Sequence, residues 1–513
     1  MPPKPIALPR LFDHVRGTLV TGDLRREAAG LSYHSGRVAP GHVFFAIRGY
    51  RDDGAKYIAD AIARGAVAIV SELPRAQFEL PSAIAWIQVP AIRFALAQAA
   101  CEFYQHPTRE LDLVGVTGTN GKTTTAFLIA SILEAAGRTP ALFGTIENRL
   151  RFSDSARKIA AMQTTPESLD LQRWLREALA LVGRSSAMAA VMEVSSHSLA
   201  MDRVAGSRFH TAVWTNFARD HLDFHATVDD YFFAKKKLFQ PASSNPGDAS
   251  GGLAPKVAVL NADDPRFTEM REGLTARIIS FGMDHPADVS ARNWKTSVEG
   301  IKMTVKTPSG EMEIQSRLPG RHNASNLLAA VAAATAMEIS PEAIHAGLAE
   351  VTVPGRLEAI QEGQPFAVLV DYAHTEEALR SVIAAAREMT KEGSLDGSLI
   401  LVFGCGGDRD RSKRPAMGQA AAAADQVILT SDNPRSEDPL QIINDMQVGL
   451  QKTGAKYVIE PNRAVAIARA LREARSGDTV LIAGKGHEDY QIIGSDRLQF
   501  DDREVARAVL LGD

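Results

Sequence analysis

Val116-Thr117-Gly118-Thr119-Asn120-Gly121-Lys122-Thr123-Thr124-Thr125 carries the reading of the fold. The apolar run 113–116 ahead of it has the character of a buried strand. Behind it, Phe127, Leu128, Ile129, Ile132 and Leu133 recur at helical spacing. A strand, a glycine turn and a helix opening on Gly121-Lys122-Thr123 make an anion cradle. Free backbone N–H groups and the positive helix end face a phosphate, Lys122 adds a point charge, and Thr123 offers a hydroxyl to Mg2+. The loop is a shortened variant, because Val116 stands where the strict spacing has its first glycine and the glycine comes at 118. A glycine-rich surface turn is the alternative. The reading taken is a nucleoside-triphosphate site.

The bulk properties narrow the classes around that site. A chain of 513 residues is too long for one core, and a prior of ~150 residues per domain gives three. With 45% apolar and 23% charged residues it has the composition of an ordinary globular protein. Lys plus Arg is 57 against 61 Asp plus Glu, and the net charge of −4 gives no electrostatic case for nucleic acid or an anionic membrane. Cys101 and Cys405, far apart and alone, argue for a reducing compartment and against a disulfide framework. The start, Met1-Pro2-Pro3-Lys4-Pro5, leads into no apolar segment, and no apolar run approaches membrane-spanning length. These features predict a cytoplasmic protein; that it acts on small molecules as a monomer is a separate expectation, which composition does not carry.

Three segments separate by pattern. Residues 1–107 carry short apolar runs at 43–46, 66–70 and 83–87 between Ala-rich helical stretches, as in a small α/β domain. Residues 108–354 place strand candidates at 113–116, 141–143, 189–192, 212–215, 257–260 and 277–280 in alternation with helices. That alternation predicts a mainly parallel, doubly wound sheet. The stretch 241–255, rich in Pro, Gly, Ser and Ala, reads as a mobile surface loop. The runs 294–298, 301–305 and 312–316 read as a small antiparallel appendage before a helix at 323–336. Val353-Pro354-Gly355-Arg356 breaks the pattern, and residues 355–513 repeat it with strands at 366–370, 399–403, 427–430 and 479–483, a second doubly wound sheet. Gly404-Cys405-Gly406-Gly407 follows one of these, but Arg409 fills the last position of a dinucleotide fingerprint. A tight turn serving a substrate is preferred there to a second nucleotide site.

Open α/β sheets bind ligands at the carboxyl ends of their strands, so the residues just after each strand carry the chemistry. Glu193 follows 189–192 and is read as a Mg2+ ligand, with a helix-capping acid as the alternative. His221 lies in Arg219-Asp220-His221-Leu222-Asp223 after 212–215, between two acids at a strand end.

Six ordered motifs together make the chain resemble the Mur ligase family, which builds the peptide of bacterial cell-wall precursors. They are Gly118-Thr119-Asn120-Gly121-Lys122-Thr123-Thr124, Glu193-Val194-Ser195-Ser196-His197, Asp220-His221-Leu222-Asp223, His322-Asn323-Ala324-Ser325-Asn326, Gly355-Arg356-Leu357-Glu358 and Asp371-Tyr372-Ala373-His374. The resemblance implies a UDP-sugar-binding domain at 1–107, an ATP-binding domain at 108–354 and an amino-acid-binding domain at 355–513. It implies nucleotide contacts from Gly118, Thr119, Asn120, Gly121, Lys122, Thr123 and Thr124 together with Asn326, Arg356 and Asp371. An Asn suits a base edge, an Arg a phosphate, and an Asp a ribose or phosphate-bound metal.

Ala234-Lys235-Lys236-Lys237-Leu238-Phe239 is similar to the family stretch whose lysine is carbamylated, which puts the carbamate on Lys235. Such a lysine must be desolvated to be neutral enough to add CO2. A solvated basic helix face is the other reading of three lysines. Thr123, Glu193, His221 and carbamylated Lys235 would then hold Mg2+, and Lys122, Glu193, His221 and Lys235 would form the catalytic set. Asp432-Asn433-Pro434-Arg435 is similar to the motif of members that add meso-diaminopimelate, whose distal carboxylate a guanidinium fork can hold. Gly484 and Glu488 in Gly484-Lys485-Gly486-His487-Glu488, and Arg409, complete that set. Pairing of Arg435 with Glu437 or Asp438 is the alternative. Ser35, Gln163, Thr164, Thr165, Ser195 and Arg203 match positions that contact the acceptor, UDP-N-acetylmuramoyl-L-Ala-D-Glu. The first of these motifs departs from the family pattern, with His34 and Gly36 in place of an acid and an arginine.

The resemblance therefore implies ATP-dependent amide formation through an acyl phosphate, with ATP, Mg2+ and a CO2-derived carbamate as cofactors. A lysine-adding member, a folylpolyglutamate-synthase-like ligase and a nucleotide-dependent switch remain as alternatives.

Overall fold

The computed structural model describes residues 4–512 apart from 16–17, 50–51, 154–157, 162, 183–186, 242–252, 298 and 394–396. Most of the expected loop 241–255, and the last residue of the expected strand 294–298, thus lie outside the described residues. Two compact units divide the chain: residues 1–122, 133–280 and 332–339 form one, and residues 123–132, 281–331 and 340–513 the other.

The first unit contains a five-stranded sheet in the order Leu19–Thr21, Ala85–Gln88, Ala68–Ser71, His42–Phe45, Gly30–Ser32. Its pairs are parallel except the first. Both faces are covered, which is why the sequence shows unbroken apolar runs here rather than alternation. Val43 and Phe45 enter one core cluster with Ala68, Val70, Ala85 and Ile87. Phe44, Ile69 and Trp86 point to the opposite one.

The second sheet of this unit carries the phosphate loop. Its strands follow the order Lys158–Ala160, Glu147–Arg149, Thr139–Phe143, Met188–Glu193, Asp112–Thr117, Thr211–Trp214, Val257–Asn261. From Thr139–Phe143 to Val257–Asn261 the pairing is parallel. The two outer strands are antiparallel and polar, and hydropathy gave no sign of them. Asp112–Thr117 sits between Met188–Glu193 and Thr211–Trp214, in the registers Glu193↔Val116 and Trp214↔Thr117. The chain leaves the central strand toward one side and later returns to the other. This switch in direction brings three strand-end loops to one edge.

In the second unit, Val289–Ser297, Gly300–Thr307 and Gly310–Ser316 form the expected antiparallel appendage, ahead of the helix Arg321–Ala336. A six-stranded sheet follows in the order Glu358–Ala359, Ala367–Asp371, Thr479–Ala483, Leu399–Phe403, Gln426–Leu429, Tyr457–Ile459, parallel but for its first pair. Leu399, Leu401 and Phe403 enter one core cluster and Ile400 and Val402 the other, the period of two of a strand buried on both faces. Among the described residues no helix is long and apolar enough to cross a membrane.

The carboxyl end of this sheet is pinned by one buried ion pair. Arg463 donates from Nε to Asp502 Oδ1 and from Nη2 to Asp502 Oδ2, both at 2.7 Å, with both side chains 0% exposed. The same guanidinium donates to the carbonyls of Ala483 (3.0 Å) and Ser431 (3.4 Å), tying two strand ends together. Arg463→Met strands the Asp502 carboxylate in the interior, and the expected loss is about 3–5 kcal/mol in urea unfolding. A loss under ~1 kcal/mol would mean that the pair does not hold the sheet.

Candidate active site

The phosphate loop is shaped by the segment after Thr211–Trp214. Thr215 Oγ1 donates to Asn120 O (2.6 Å), the Asn216 carboxamide accepts from Asn120 N (2.9 Å) and donates to Asn120 O (3.2 Å), and Thr119 N donates to Asn216 O (3.0 Å). Only glycine fits at 118: its φ is +149°, and a Cβ there would lie 1.9 Å from Thr215 Oγ1. The helix Lys122–Ala135 opens from this loop.

Two lysines converge on the loop. Lys122 Nζ donates to the carbonyls of Gly118 (2.9 Å) and Thr119 (2.8 Å), and Lys235 Nζ donates to the same Gly118 oxygen at 2.7 Å. Lys235 sits on the helix Val228–Lys236, 1% exposed, with its Nζ 4.6 Å from the centre of the Tyr231 ring. Burial, and then the charge of Lys122, push its pKa well below the ordinary lysine value, against a weaker pull from Asp220. Burial thus disfavours the charged form of Lys235, and the reading of a solvated basic helix face does not hold for it.

His221, at φ +54°, lies beside this pair with its Nε2 3.6 Å from Asp220 Oδ2. Its ring is 4.8 Å from that of His197 and 5.7 Å from that of Tyr231. Burial lowers the pKa of both His221 and His197 to about 4, so both are neutral near pH 7. Glu193, 1% exposed, accepts from Thr145 N (2.8 Å) and Thr145 Oγ1 (3.0 Å). It does not cap the following helix; Ser195 does, accepting from Ser198 N at 3.1 Å. Among the described residues no three His, Cys, Asp or Glu side chains are grouped to hold a metal by themselves.

Beside Glu193 lie three of the residues singled out for the acceptor, Thr164, Thr165 and Ser195. Thr165 Oγ1 donates to Glu193 O (2.9 Å) and accepts from Ser195 N (3.0 Å), and the Thr164 hydroxyl lies 3.2 Å from Thr145 Oγ1, to which it can donate. Arg203, almost fully buried, donates to Thr165 O (3.2 Å) and pairs with Glu167 (3.1 Å), which also holds Arg93 (3.2 Å). Gln163 is exposed. Ser35 is buried in the short turn capped by His34, whose Nδ1 accepts from Gly36 N at 3.1 Å. The His34 and Gly36 that depart from the family pattern thus form a closed turn of their own.

In the second unit Thr123 Oγ1 accepts from Arg356 Nη2 (3.2 Å), and Thr125 Oγ1 donates to Asn326 Oδ1 (3.4 Å). The Arg356 guanidinium lies 4.7 Å from the Tyr372 ring centre. Asp371, buried at a strand end, accepts from Leu357 N (2.8 Å) and Ala373 N (2.7 Å). Burial raises its pKa, partly offset by Arg356 and these two donors.

At the carboxyl end of the same sheet, the Asp432–Arg435 and Gly484–Glu488 loops meet. Asn433 Nδ2 donates to Glu488 Oε2 (2.8 Å), and Arg435 Nη1 donates to Gly407 O (2.8 Å). Glu437 is taken by Arg414 and Arg411, and Asp438 caps the helix Pro439–Gln451. The alternative pairing for Arg435 is thus not what the structure contains. Gly407 is required by close approach, since a Cβ there would lie 1.9 Å from Pro434 O. The glycine run at 404–407 is the tight turn expected, pressed against the Asp432–Arg435 loop. Arg409 is exposed on it and donates to Asp408 O (3.1 Å).

Comparison with known proteins agrees with this geometry. Three family profiles match in chain order: "Mur ligase family, catalytic domain" at residues 27–104, "Mur ligase middle domain" at 116–334 and "Mur ligase, glutamate ligase domain" at 355–486. A UDP-N-acetylmuramoyl-L-alanyl-D-glutamate--2,6-diaminopimelate ligase of Solibacter usitatus (strain Ellin6076) is 49% identical over 489 residues, covering 95% of this chain and 94% of that one. The chain belongs to the Mur ligase family. A relative of the same name from Geobacillus kaustophilus (strain HTA426) is 43% identical and covers 98% of both chains. A solved structure, also of a UDP-N-acetylmuramoyl-L-alanyl-D-glutamate--2,6-diaminopimelate ligase, matches with a TM-score of 0.67 at 31% identity over 99% of both chains. Like its relatives this Mur ligase is an ATP-dependent amide ligase of α/β fold with parallel sheets.

Several working residues of this Mur ligase escaped the sequence reading. Thr145, which holds both oxygens of Glu193, follows Thr139–Phe143 and obeys the same strand-end rule that found Glu193. The carboxamide of Asn216 and the hydroxyl of Thr215 carry no pattern of their own; only their place after a strand points to them.

Two half-buried histidines predict a loss of stability in acid. Partial burial and Arg356 lower the pKa of His322 to about 4, and that of His487 goes to about 3 for the same two reasons, with Arg503 and Lys485 adding to it. Both lie below the value of about 6.5 for an unfolded histidine, so the unfolded chain binds more protons. The stability this represents is complete above about pH 6.5 and drains away as the pH falls toward 4. The melting temperature of the unliganded protein should decline over that window, and less so in His322→Gln; equal declines would clear His322 of the effect.

Proposed function

We infer that the protein adds meso-2,6-diaminopimelate to the D-Glu of UDP-N-acetylmuramoyl-L-Ala-D-Glu, in peptidoglycan precursor synthesis. The observation that carries the choice of amino acid is the meeting of the Asp432–Arg435 and Gly484–Glu488 loops, joined at 2.8 Å through Asn433 and Glu488. An acid pair, Asp432 and Glu488, suits the distal ammonium of diaminopimelate, and Arg435 with Arg409 suits its distal carboxylate. L-Lysine has no such carboxylate, so Arg435 would be idle in a lysine-adding enzyme.

Segment 1–107 with Ser35 takes the UDP sugar, segment 108–354 the ATP, and segment 355–513 the incoming amino acid. Gln163, Thr164, Thr165, Ser195 and Arg203 contact the acceptor. Residues Gly118 to Thr124 cradle the phosphates, with Asn326, Arg356 and Asp371 completing the nucleotide site. The γ-phosphoryl group of ATP passes to the γ-carboxylate of D-Glu, giving an acyl phosphate and ADP. The diaminopimelate amine then attacks the activated carbonyl, and inorganic phosphate leaves as the amide forms. Lys122 gives up its two loop carbonyls to meet the migrating phosphoryl group, since positioning and charge neutralisation are what this chemistry needs.

Lys235, its charge disfavoured by burial, is suited to add CO2 and become an anionic carbamate. Glu193, His221 and that carbamate, and separately the Thr123 hydroxyl, are the groups that would hold Mg2+, oxygen donors with one neutral imidazole. Mg2+ would supply positive charge to offset that of the phosphates. The enzyme works in the cytoplasm as a monomer, where its two buried cysteines stay free thiols.

Phosphate release with ATP, Mg2+ and the UDP-dipeptide tests the reading. It should depend on meso-diaminopimelate and stay at background with L-lysine or no amine. Arg435→Ala should cut kcat/KM for diaminopimelate about 10- to 100-fold, the worth of a hydrogen bond to a charged group. Release with lysine would overturn the assignment of Arg435. Lys235→Ala should be inactive and recover in part with short carboxylic acids, which stand in for the carbamate; an active or unrescuable variant would count against carbamylation.

A further inference from the structure

Lys485 lies between the two loops, 0% exposed, and neither the nucleotide nor the amino-acid assignments give it a role. Its ammonium donates to Asn433 Oδ1 (3.3 Å) and Glu488 Oε2 (3.2 Å), with the Tyr490 ring centre 5.3 Å away. A carboxamide can sit either way round, and here its partners allow one orientation. Asn433 Oδ1 also accepts from Ile492 N (2.9 Å), while Nδ2 donates to Glu488. Turned over, its NH2 would face two donors and its oxygen a carboxylate.

Ile492 belongs to the hairpin Tyr490–Ile493 and Asp496–Gln499, which lies past the last matched family residue, 486. This hairpin is laced to the Asp432–Arg435 loop. Arg435 N donates to Ile492 O (3.0 Å), Gly494 N donates to Arg435 O (2.7 Å), and Gln491 Nε2 donates to Asp432 O (2.7 Å). Arg435 itself has φ +53°, a left-handed conformation that is strained for a non-glycine residue and persists only when its surroundings hold it. The bonds to the hairpin are what hold it, and the Asn433 carboxamide registers hairpin against loop.

We propose that Lys485 is a positioning residue for the amino-acid pocket: by fixing the Asn433 carboxamide against Glu488 it registers the Tyr490–Gln499 hairpin on the loop and so aims Arg435. This rests on the diaminopimelate reading of that loop. Lys485 also sets the charge of the pocket. Glu488 is faced by Asp432, Lys485, Tyr490, Tyr372 and Arg463, and Arg463 is committed to Asp502. Burial and Asp432 push the Glu488 pKa up, and Lys485 opposes them. Without that ammonium, Glu488 would hold its proton more tightly and lose grip on a substrate ammonium.

The test is steady-state phosphate release by the full chain with ATP, Mg2+ and the UDP-dipeptide, comparing wild type with Lys485→Met. The variant should raise KM for diaminopimelate about tenfold or more while KM for ATP stays within about twofold. Its preference for diaminopimelate over L-lysine should narrow, and the acid limb of kcat/KM for diaminopimelate should move to higher pH. Unchanged KM and acid limb, or equal rises in KM for ATP and diaminopimelate, would overturn the proposal. If Lys485→Met does not fold, Gln491→Ala removes one lace from the same hairpin. A raised KM for diaminopimelate at unchanged melting temperature supports the brace, and an unchanged KM overturns it. Wild type that releases no phosphate with diaminopimelate would instead defeat the underlying reading.

Discussion

Two amines donate to the carbonyl oxygen of Gly118, and much of the catalytic chemistry depends on how that crowding is resolved. Lys122 and Lys235 cannot both carry a full charge cheaply there, because like charges at close range in a poorly hydrated site repel. Lys122 opens a helix at the partly exposed edge, while Lys235 is sealed under Tyr231. Lys235 is therefore the amine whose charged form is disfavoured. The loop that makes this possible is held from outside, by Thr215 and Asn216, so its geometry does not wait for a ligand. Such a lysine, with two neutral histidines adjoining, suits the carbamate proposed for it, and the change of sign would relieve the crowding rather than add to it.

The amino-acid end of the second unit follows a different rule. Its buried charges are paired rather than neutralised: Arg463 with Asp502, Arg414 with Glu437 and Asp445, Lys485 with Glu488. Such pairs add little net stability over apolar residues of the same size, but each fixes direction, since a misplaced partner leaves a charge stranded. That would suit the proposed diaminopimelate pocket, which must tell apart two amines that differ by one carboxylate. Discrimination of this kind comes from polar groups held in place and left unsatisfied by the wrong substrate.

The parallel strands were legible because each is buried on both faces, so runs such as Leu399–Phe403 and Val257–Asn261 read as unbroken apolar segments. The strand-end rule then found Glu193 and His221, and the motifs supplied the rest by resemblance. What stayed hidden is polar and local. Glu147–Arg149 and, at the edge, Lys158–Ala160 are short polar strands without an apolar run, joined by the Lys158–Glu147 ion pair. The hairpin Tyr490–Gln499 has one exposed strand and one partly buried one, so it shows no apolar period. Lys485 was quoted within its motif but not singled out, because its meaning lies in which way a neighbouring carboxamide faces, and no residue spacing encodes that.

Arg356 shows how one side chain can serve the resting enzyme and the loaded one differently. At rest its guanidinium donates to Thr123 Oγ1, lies over Tyr372, and through its charge helps keep His322 and His487 neutral. Thr123 is also the hydroxyl assigned to Mg2+. A threonine oxygen has two lone pairs and can accept from one donor while facing a cation, but a guanidinium and a divalent ion around one oxygen repel each other. Were Thr123 to take Mg2+ as proposed, the guanidinium would have to leave that hydroxyl, and a phosphate oxygen is the partner its charge and fork geometry suit. The same arginine would then trade a neutral acceptor for an anionic one, the stronger of the two bonds.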